Sequence, residues 1–126
     1  MNVQGNENKS STGLEPNVAA LLAYLFGWVG GLVFFLIEKD SMYVKFHAMQ
    51  SIFLNGLIVA LFIVLQIFTI LLAFISSSLA LIGSLGWLVI GLGGLAVWVL
   101  MMIKAYQGEA YKLPVIGDMA ENIVNK

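Results

Sequence analysis

Three apolar runs divide the chain. The first covers residues 18–37, follows Pro16 and Asn17 as start signals, and is stopped by Glu38-Lys39-Asp40. The second begins near Phe46, is apolar without interruption over residues 57–65, and ends at Ile75 before Ser76-Ser77-Ser78. The third, residues 79–103, is stopped by Lys104. A helix needs about 20 residues to cross a hydrocarbon core of roughly 30 Å, and each run meets that length. Barrel strands would be shorter and would alternate in polarity, whereas these runs are continuous. The pattern predicts an all-α integral membrane bundle with three transmembrane helices over about residues 18–37, 52–75 and 79–103. A flexible polar N-terminal tail (1–16), a membrane domain (17–107) and an interfacial C-terminal segment (108–126) complete the expected organisation.

The glycines of the third run leave a variant open. Gly83, Gly86, Gly91, Gly93 and Gly94 can break a helix where protein covers the backbone. A re-entrant segment or fourth span there would put both termini on one side. Beyond the third run, Pro114 interrupts any continuing helix. A short amphipathic helix is expected next, with Asp118 as N-cap, Glu121 three residues on, and Met119, Ile123 and Val124 near helical spacing. It reads as an interfacial foot, with a partner-binding helix as the other reading.

Composition turns the pattern into a statement about solvent. Of 126 residues, 60% are hydrophobic and 10% charged, whereas a soluble domain carries about a quarter charged residues. Between Phe46 and Ile103 the one ionisable side chain is His47, so lipid is the expected solvent. A net charge of −1 gives no basic footprint for nucleic acid. The absence of cysteine removes disulfides, thiolate metal sites and cysteine nucleophiles. The first run is too long for the core of a cleaved signal peptide and ends in charge, so it reads as a retained span. With three spans, Lys39 and Lys45 share a side with Lys104, Lys112 and Lys126, opposite Lys9. The positive-inside rule then places the C-terminus in the cytoplasm and the N-terminus outside the cell membrane.

Few side chains are candidates for chemistry. On a helix starting near Phe46, His47, Ser51 and Asn55 descend one face, Gln50 flanks it, and Gln66 and Thr69 continue it deeper. Such a polar stripe cannot face lipid without cost. It either makes interhelical hydrogen bonds or lines a path for an ion, proton or polar solute with His47 as a gate. The second set is small residues: Gly27 and Gly31 in the first run, Gly83, Gly86, Gly93 and Gly94 in the third. These suit close helix packing. Trp28 and Trp98 fall deep enough for a packing role, while other aromatics mark span ends. One histidine and no cysteine build no usual metal site. No spacing supports catalytic residues, and nothing implies a cofactor.

Four blocks carry a resemblance. They are Gly13-Leu14-Glu15-Pro16-Asn17-Val18-Ala19-Ala20, Leu36-Ile37-Glu38-Lys39-Asp40, Phe46-His47-Ala48-Met49-Gln50-Ser51 and Gly108-Glu109-Ala110-Tyr111-Lys112-Leu113-Pro114-Val115-Ile116-Gly117-Asp118. Together they resemble an uncharacterised family of small prokaryotic multi-pass membrane proteins. That family is distantly similar to the Tic-twenty-like component of the chloroplast inner-envelope import machinery. The resemblance spans roughly residues 13–121 and implies membrane placement without a mechanism. The chloroplast relatives imply four spans in a protein-conducting complex, where this chain reads as three. The expected function is non-enzymatic, through helix–helix assembly with itself or other membrane proteins in the bilayer. The alternative is a transporter, pore or protein-translocation subunit whose path the stripe lines.

Overall fold

The computed structural model describes residues 10–125, and among them every regular element is a helix. In order these are α1 (Pro16–Leu25), α2 (Gly27–Ile37), α3 (Met42–Ile75), α4 (Ser77–Tyr106) and α5 (Ile116–Val124). Two of them, α3 with 34 residues and α4 with 30, are long and apolar enough to cross a membrane. At 1.5 Å per residue they run about 50 and 45 Å, well beyond a hydrocarbon core. None of the five glycines of the third run interrupts α4.

The first apolar run departs from the expectation of one continuous span. It holds two helices of 10 and 11 residues that meet at Phe26. Gly27 follows with φ +64°, a left-handed conformation that ends helices and that glycine adopts without a Cβ clash. The chain then folds back. A Cβ placed on Gly30 of α2 would lie 2.8 Å from the Leu22 carbonyl oxygen of α1. At the other end, Ser11 Oγ donates to the Ile37 carbonyl (3.2 Å) and accepts from the Lys39 N–H (2.8 Å). The segments before α1 and after α2 therefore lie side by side. Neither helix has the roughly 20 residues that a crossing needs.

The chain divides into two compact units, one of residues up to Asn55 and from Trp98 onward, the other Gly56–Val97. The first gathers α1, α2, α5 and the outer ends of α3 and α4. Ala19, Ala23, Phe34, Val44 and Ala48 form one apolar cluster in it, and Phe46, Met49, Ala120 and Val124 another. Through the second cluster α5 packs on α3. Its start corrects the expected cap: α5 begins at Ile116, and Asp118 sits inside its first turn. The residue before the helix is Val115, at φ 67° and ψ −53°, with the Ile116 N–H bonded to the Pro114 carbonyl at 2.7 Å. That is a γ-turn on a β-branched residue, a conformation that stores strain.

The second unit is a helical hairpin turning at Ser76, with arms of about 20 residues, the length of a hydrocarbon crossing. Its seam is made of small residues on α4 against larger ones on α3. A Cβ on Gly83 would meet Thr69 Oγ1 at 3.0 Å, one on Gly86 would meet Leu65 at 2.9 Å, and one on Gly94 would meet Ile58 at 3.2 Å. Phe62 and Trp87 add a tilted ring contact with centroids 4.8 Å apart. Gly93, expected to pack, has nothing within 4 Å of an added Cβ.

Candidate functional site

The sequence pattern places the stripe residues on α3, and the structure distributes them between the two units. His47, Gln50 and Ser51 are fully buried in the first unit, with Asn55 at its edge. Gln66 is exposed and Thr69 buried in the hairpin. Thr69 Oγ1 faces Gly83 without a hydrogen-bond partner among the described residues.

The bonding of the first group is closed on itself. His47 Nε2 lies 2.9 Å from the Glu109 carbonyl, which can only accept, so this nitrogen carries the proton. Nδ1 then accepts from the Tyr24 hydroxyl at 2.8 Å. The Tyr24 oxygen accepts in turn from Gln50 Nε2 at 3.0 Å, and the same amide donates to the Tyr111 carbonyl at 2.9 Å. Gln50 Oε1 takes the Leu113 N–H at 2.9 Å. Every donor and acceptor in this chain has a role that agrees with its neighbours, and such chains polarise and strengthen one another. Tyr24, Tyr43 and Phe46 stand edge-on to the imidazole with ring centroids 4.7–5.3 Å away. Tyr43 donates to the Ala105 carbonyl at 2.5 Å. Two of the four sequence blocks, those containing His47 and Tyr111, are thus the two halves of one lock.

A second set of bonds explains how α1 can end inside the protein. The last carbonyls of a helix lack intrahelical partners and need others when buried. Ser51 Oγ donates to the Ala23 carbonyl at 2.9 Å and reaches that of Gly27 at 3.2 Å. Trp98 Nε1 donates to the Tyr24 carbonyl at 2.6 Å. Gly31 lets α2 and α3 touch backbone to backbone, since a Cβ there would sit 2.6 Å from the Ala48 carbonyl oxygen. Asn55 donates to the Ser51 carbonyl one turn back at 2.8 Å.

A third cluster surrounds Glu38, which the charge pattern marked only as the end of a run. Its carboxylate is buried and accepts from Ser10 Oγ, the Ser11 N–H (2.8 Å) and the N–H groups of Asp40 and Ser41 (both 3.0 Å). Burial pushes its pKa up, but these bonds outweigh it and hold the carboxyl below its ordinary range. Ser41 then caps α3 by accepting the Val44 N–H at 3.2 Å. The polar tail expected over residues 1–16 is therefore tied down from Ser10 onward, because buried oxygens of Glu38 need its donors. Residues 1–9 lie outside the described part. On the C-terminal side, Asn17 Nδ2 bonds the Tyr106 carbonyl at 3.0 Å. Lys104 pairs with Glu109 at 3.0 Å, and Lys112 pairs with Glu121 at 2.9 Å and Asp118 at 3.5 Å. The bond that Lys112 donates to Glu121, with the charge of both carboxylates, raises the pKa of Lys112.

Sequence reasoning missed Tyr24, Tyr43, Trp98 and the backbone of residues 109–113 as partners. Tyr24 and Ser41 left some signal: a tyrosine inside an apolar run needs a partner for its hydroxyl, and Ser41 directly precedes a helix. The carbonyls of 109–113 left none.

The fold and these contacts define a helical membrane protein with two long apolar helices and an internally bonded polar end. The sequence model described as the magnetosome magnetite crystal formation protein family matches residues 13–120. A UPF0132 membrane protein of Methanocaldococcus jannaschii is 46% identical over 116 residues, covering 90% of this chain and 92% of the relative. A second from that archaeon is 39% identical over 109 residues, 86% of this chain and 70% of its own. One from Archaeoglobus fulgidus is 41% identical over 108 residues, 86% and 94% of the two chains. The chain belongs to this family of membrane proteins. No solved structure matches it.

Proposed function

We propose that this protein is a non-enzymatic subunit that works by helix–helix assembly in the cell membrane, with itself or within a larger complex. The observation that carries this reading is the closure of the His47–Gln50 network. Its buried polar groups bond to Tyr24 and to the backbone of residues 109–113, which leaves them holding the fold and not a solute. By the same count a path along His47, Gln50, Ser51 and Asn55 is disfavoured. The likeness to an import component would make the protein a translocation subunit, and that remains the second form of the assembly reading. The family description concerns magnetite crystal formation. That description is of the family, and our proposal for this chain is an assembling role.

The proposal includes a topology. The segments around Ser10, Glu38 and Tyr106 are bonded to one another, which supports two full spans, α3 and α4, with α1–α2 as a re-entrant pair. Lys39, Lys104 and Lys112 then share the cytoplasmic side with both termini. This revises the N-terminus-outside arrangement expected from three spans.

The native mass of the gently solubilised complex, with identification of every chain, tests the function. Several copies, or other proteins in fixed ratio, support assembly; a lone monomer rejects it. Flux into liposomes that falls for Asn55→Leu would restore the path reading.

A further inference from the structure

Two heptad stripes run along the hairpin arm of α3, one residue apart. The first, Ile58, Phe62, Leu65, Thr69 and Leu72, forms the seam with α4, where Gly83, Gly86 and Gly94 admit it. The second, Val59, Ile63, Gln66, Ile70 and Ala73, repeats the same spacing of four and three. It is open: Val59, Ile63 and Ile70 are 55, 56 and 48% exposed, and Gln66 and Ala73 are exposed too.

Lipid would cover such a face equally well if it were apolar throughout. Gln66 makes the difference. It stands ten residues from either end of its arm, about 15 Å deep, beyond the reach of its side chain to headgroups. It takes no part in the hydrogen bonds made by the polar residues of α3. A side-chain amide in hydrocarbon seeks a partner. An amide carries both a donor and an acceptor, so its own copy across a two-fold axis is a full complement. Two copies in one membrane insert the same way up, which makes their α3 helices parallel. In parallel pairs, β-branched residues at alternate core positions favour two strands, and a single polar core residue sets the register. Ile63 and Ile70 occupy one such position, with Val59, Gln66 and Ala73 at the other.

We infer that the protein forms a parallel two-fold homodimer through the Val59–Ile63–Gln66–Ile70–Ala73 face of α3, with the two Gln66 amides hydrogen-bonded to each other. This rests on the assembly reading above and names its partner as a second copy.

The chain has no cysteine, so single cysteines report the contact directly in membranes. Cysteines at 59, 63, 66, 70 and 73 should oxidise to disulfide-linked dimers, while those at 60, 64, 68 and 71 should not. Gln66→Leu should weaken the dimer about tenfold and Gln66→Asn should largely retain it. Cross-linking without this phase, or strongest at 64, 68 and 71, overturns the inferred face even where the native mass still shows an assembly. No homodimer from any position, with other proteins in the complex, overturns the homodimer and leaves the assembly reading standing. No homodimer from a monomeric chain ends both.

Discussion

The two units of this molecule solve the same problem, helix association without water, by different means. In the first, contacts are specified by hydrogen bonds: His47, Gln50, Ser51 and Trp98 each meet a named oxygen or N–H on another segment. In the second, contact is specified by shape, with glycines of α4 receiving Ile58, Leu65 and Thr69. A bond-specified interface tolerates the irregular backbone at Phe26 and along residues 107–115, because side chains supply partners that helices would otherwise need. A shape-specified interface keeps both helices regular and carries few polar groups. The first unit is thus held by paired polar groups, and the hairpin by the fit of side chains into glycine positions, with the rest of its apolar surface exposed.

The comparison can be broken most severely at Gln50. Gln50→Leu removes three bonds and leaves the Tyr111 carbonyl and Leu113 N–H unpaired, at an expected loss of about 3 kcal/mol. Reversible unfolding in mixed micelles measures it. A single-tryptophan form retaining Trp98 should report the loss, whereas Gln66→Leu in the hairpin should leave the stability of the monomer nearly unchanged. Equal effects from the two substitutions would erase the distinction.

Glycine substitutions sharpen the comparison at intermediate size. Gly31→Ala drives a Cβ against the backbone oxygen of Ala48, which cannot rotate away, and should cost about 1–3 kcal/mol. Gly86→Ala meets the flexible end of Leu65 and should cost less. Gly93→Ala meets nothing and should be neutral or stabilising by up to about 1 kcal/mol through helix propensity. The same micelle assay ranks the three; a reversed order would refute the backbone contact.

The smallest effect concerns pH. The Glu38 carboxyl has a folded pKa below its ordinary value of 4.5, so the ionised form is favoured by folding. Its stabilising contribution is fully present above the ordinary value and is lost as pH falls through the depressed one. Protease cleavage near Ser10 should therefore accelerate on acidification below about pH 4.5. In Glu38→Gln the rate should already be high and should lack that acid-dependent step.

Much of this was legible in the residues. Continuous apolar runs gave helices in lipid, and the stops at Ile75 and near Lys104 fell close to the ends of α3 and α4. Helical periodicity put His47, Gln50 and Ser51 close together on α3, but Gln66 and Thr69, read as the continuation of one stripe, fall on different faces of the hairpin arm, Gln66 exposed and Thr69 against Gly83. The break at Phe26–Gly27 did not, because a glycine in an apolar run serves equally as a packing contact and as a helix stop, and Gly31 four residues on favoured the first interpretation. Nor did the lock itself: side-chain periodicity cannot disclose that a buried imidazole and amide are matched to backbone groups some sixty residues away. The Val115 turn was hidden for a related reason, since valine carries no preference for that conformation and is held there by what surrounds it.

The order of synthesis gives that lock a further meaning. Residues 109–113 leave the ribosome after both long helices, so α3 must enter the membrane with His47 and Gln50 still lacking half of their partners. Until the final segment swings into place, those groups are exposed to water or to whatever factor attends insertion. The network around His47 and Gln50 therefore closes only when the last segment of the chain to be made has docked. A chain cut short before Glu109 would lack the partners of His47 Nε2 and of both ends of the Gln50 amide.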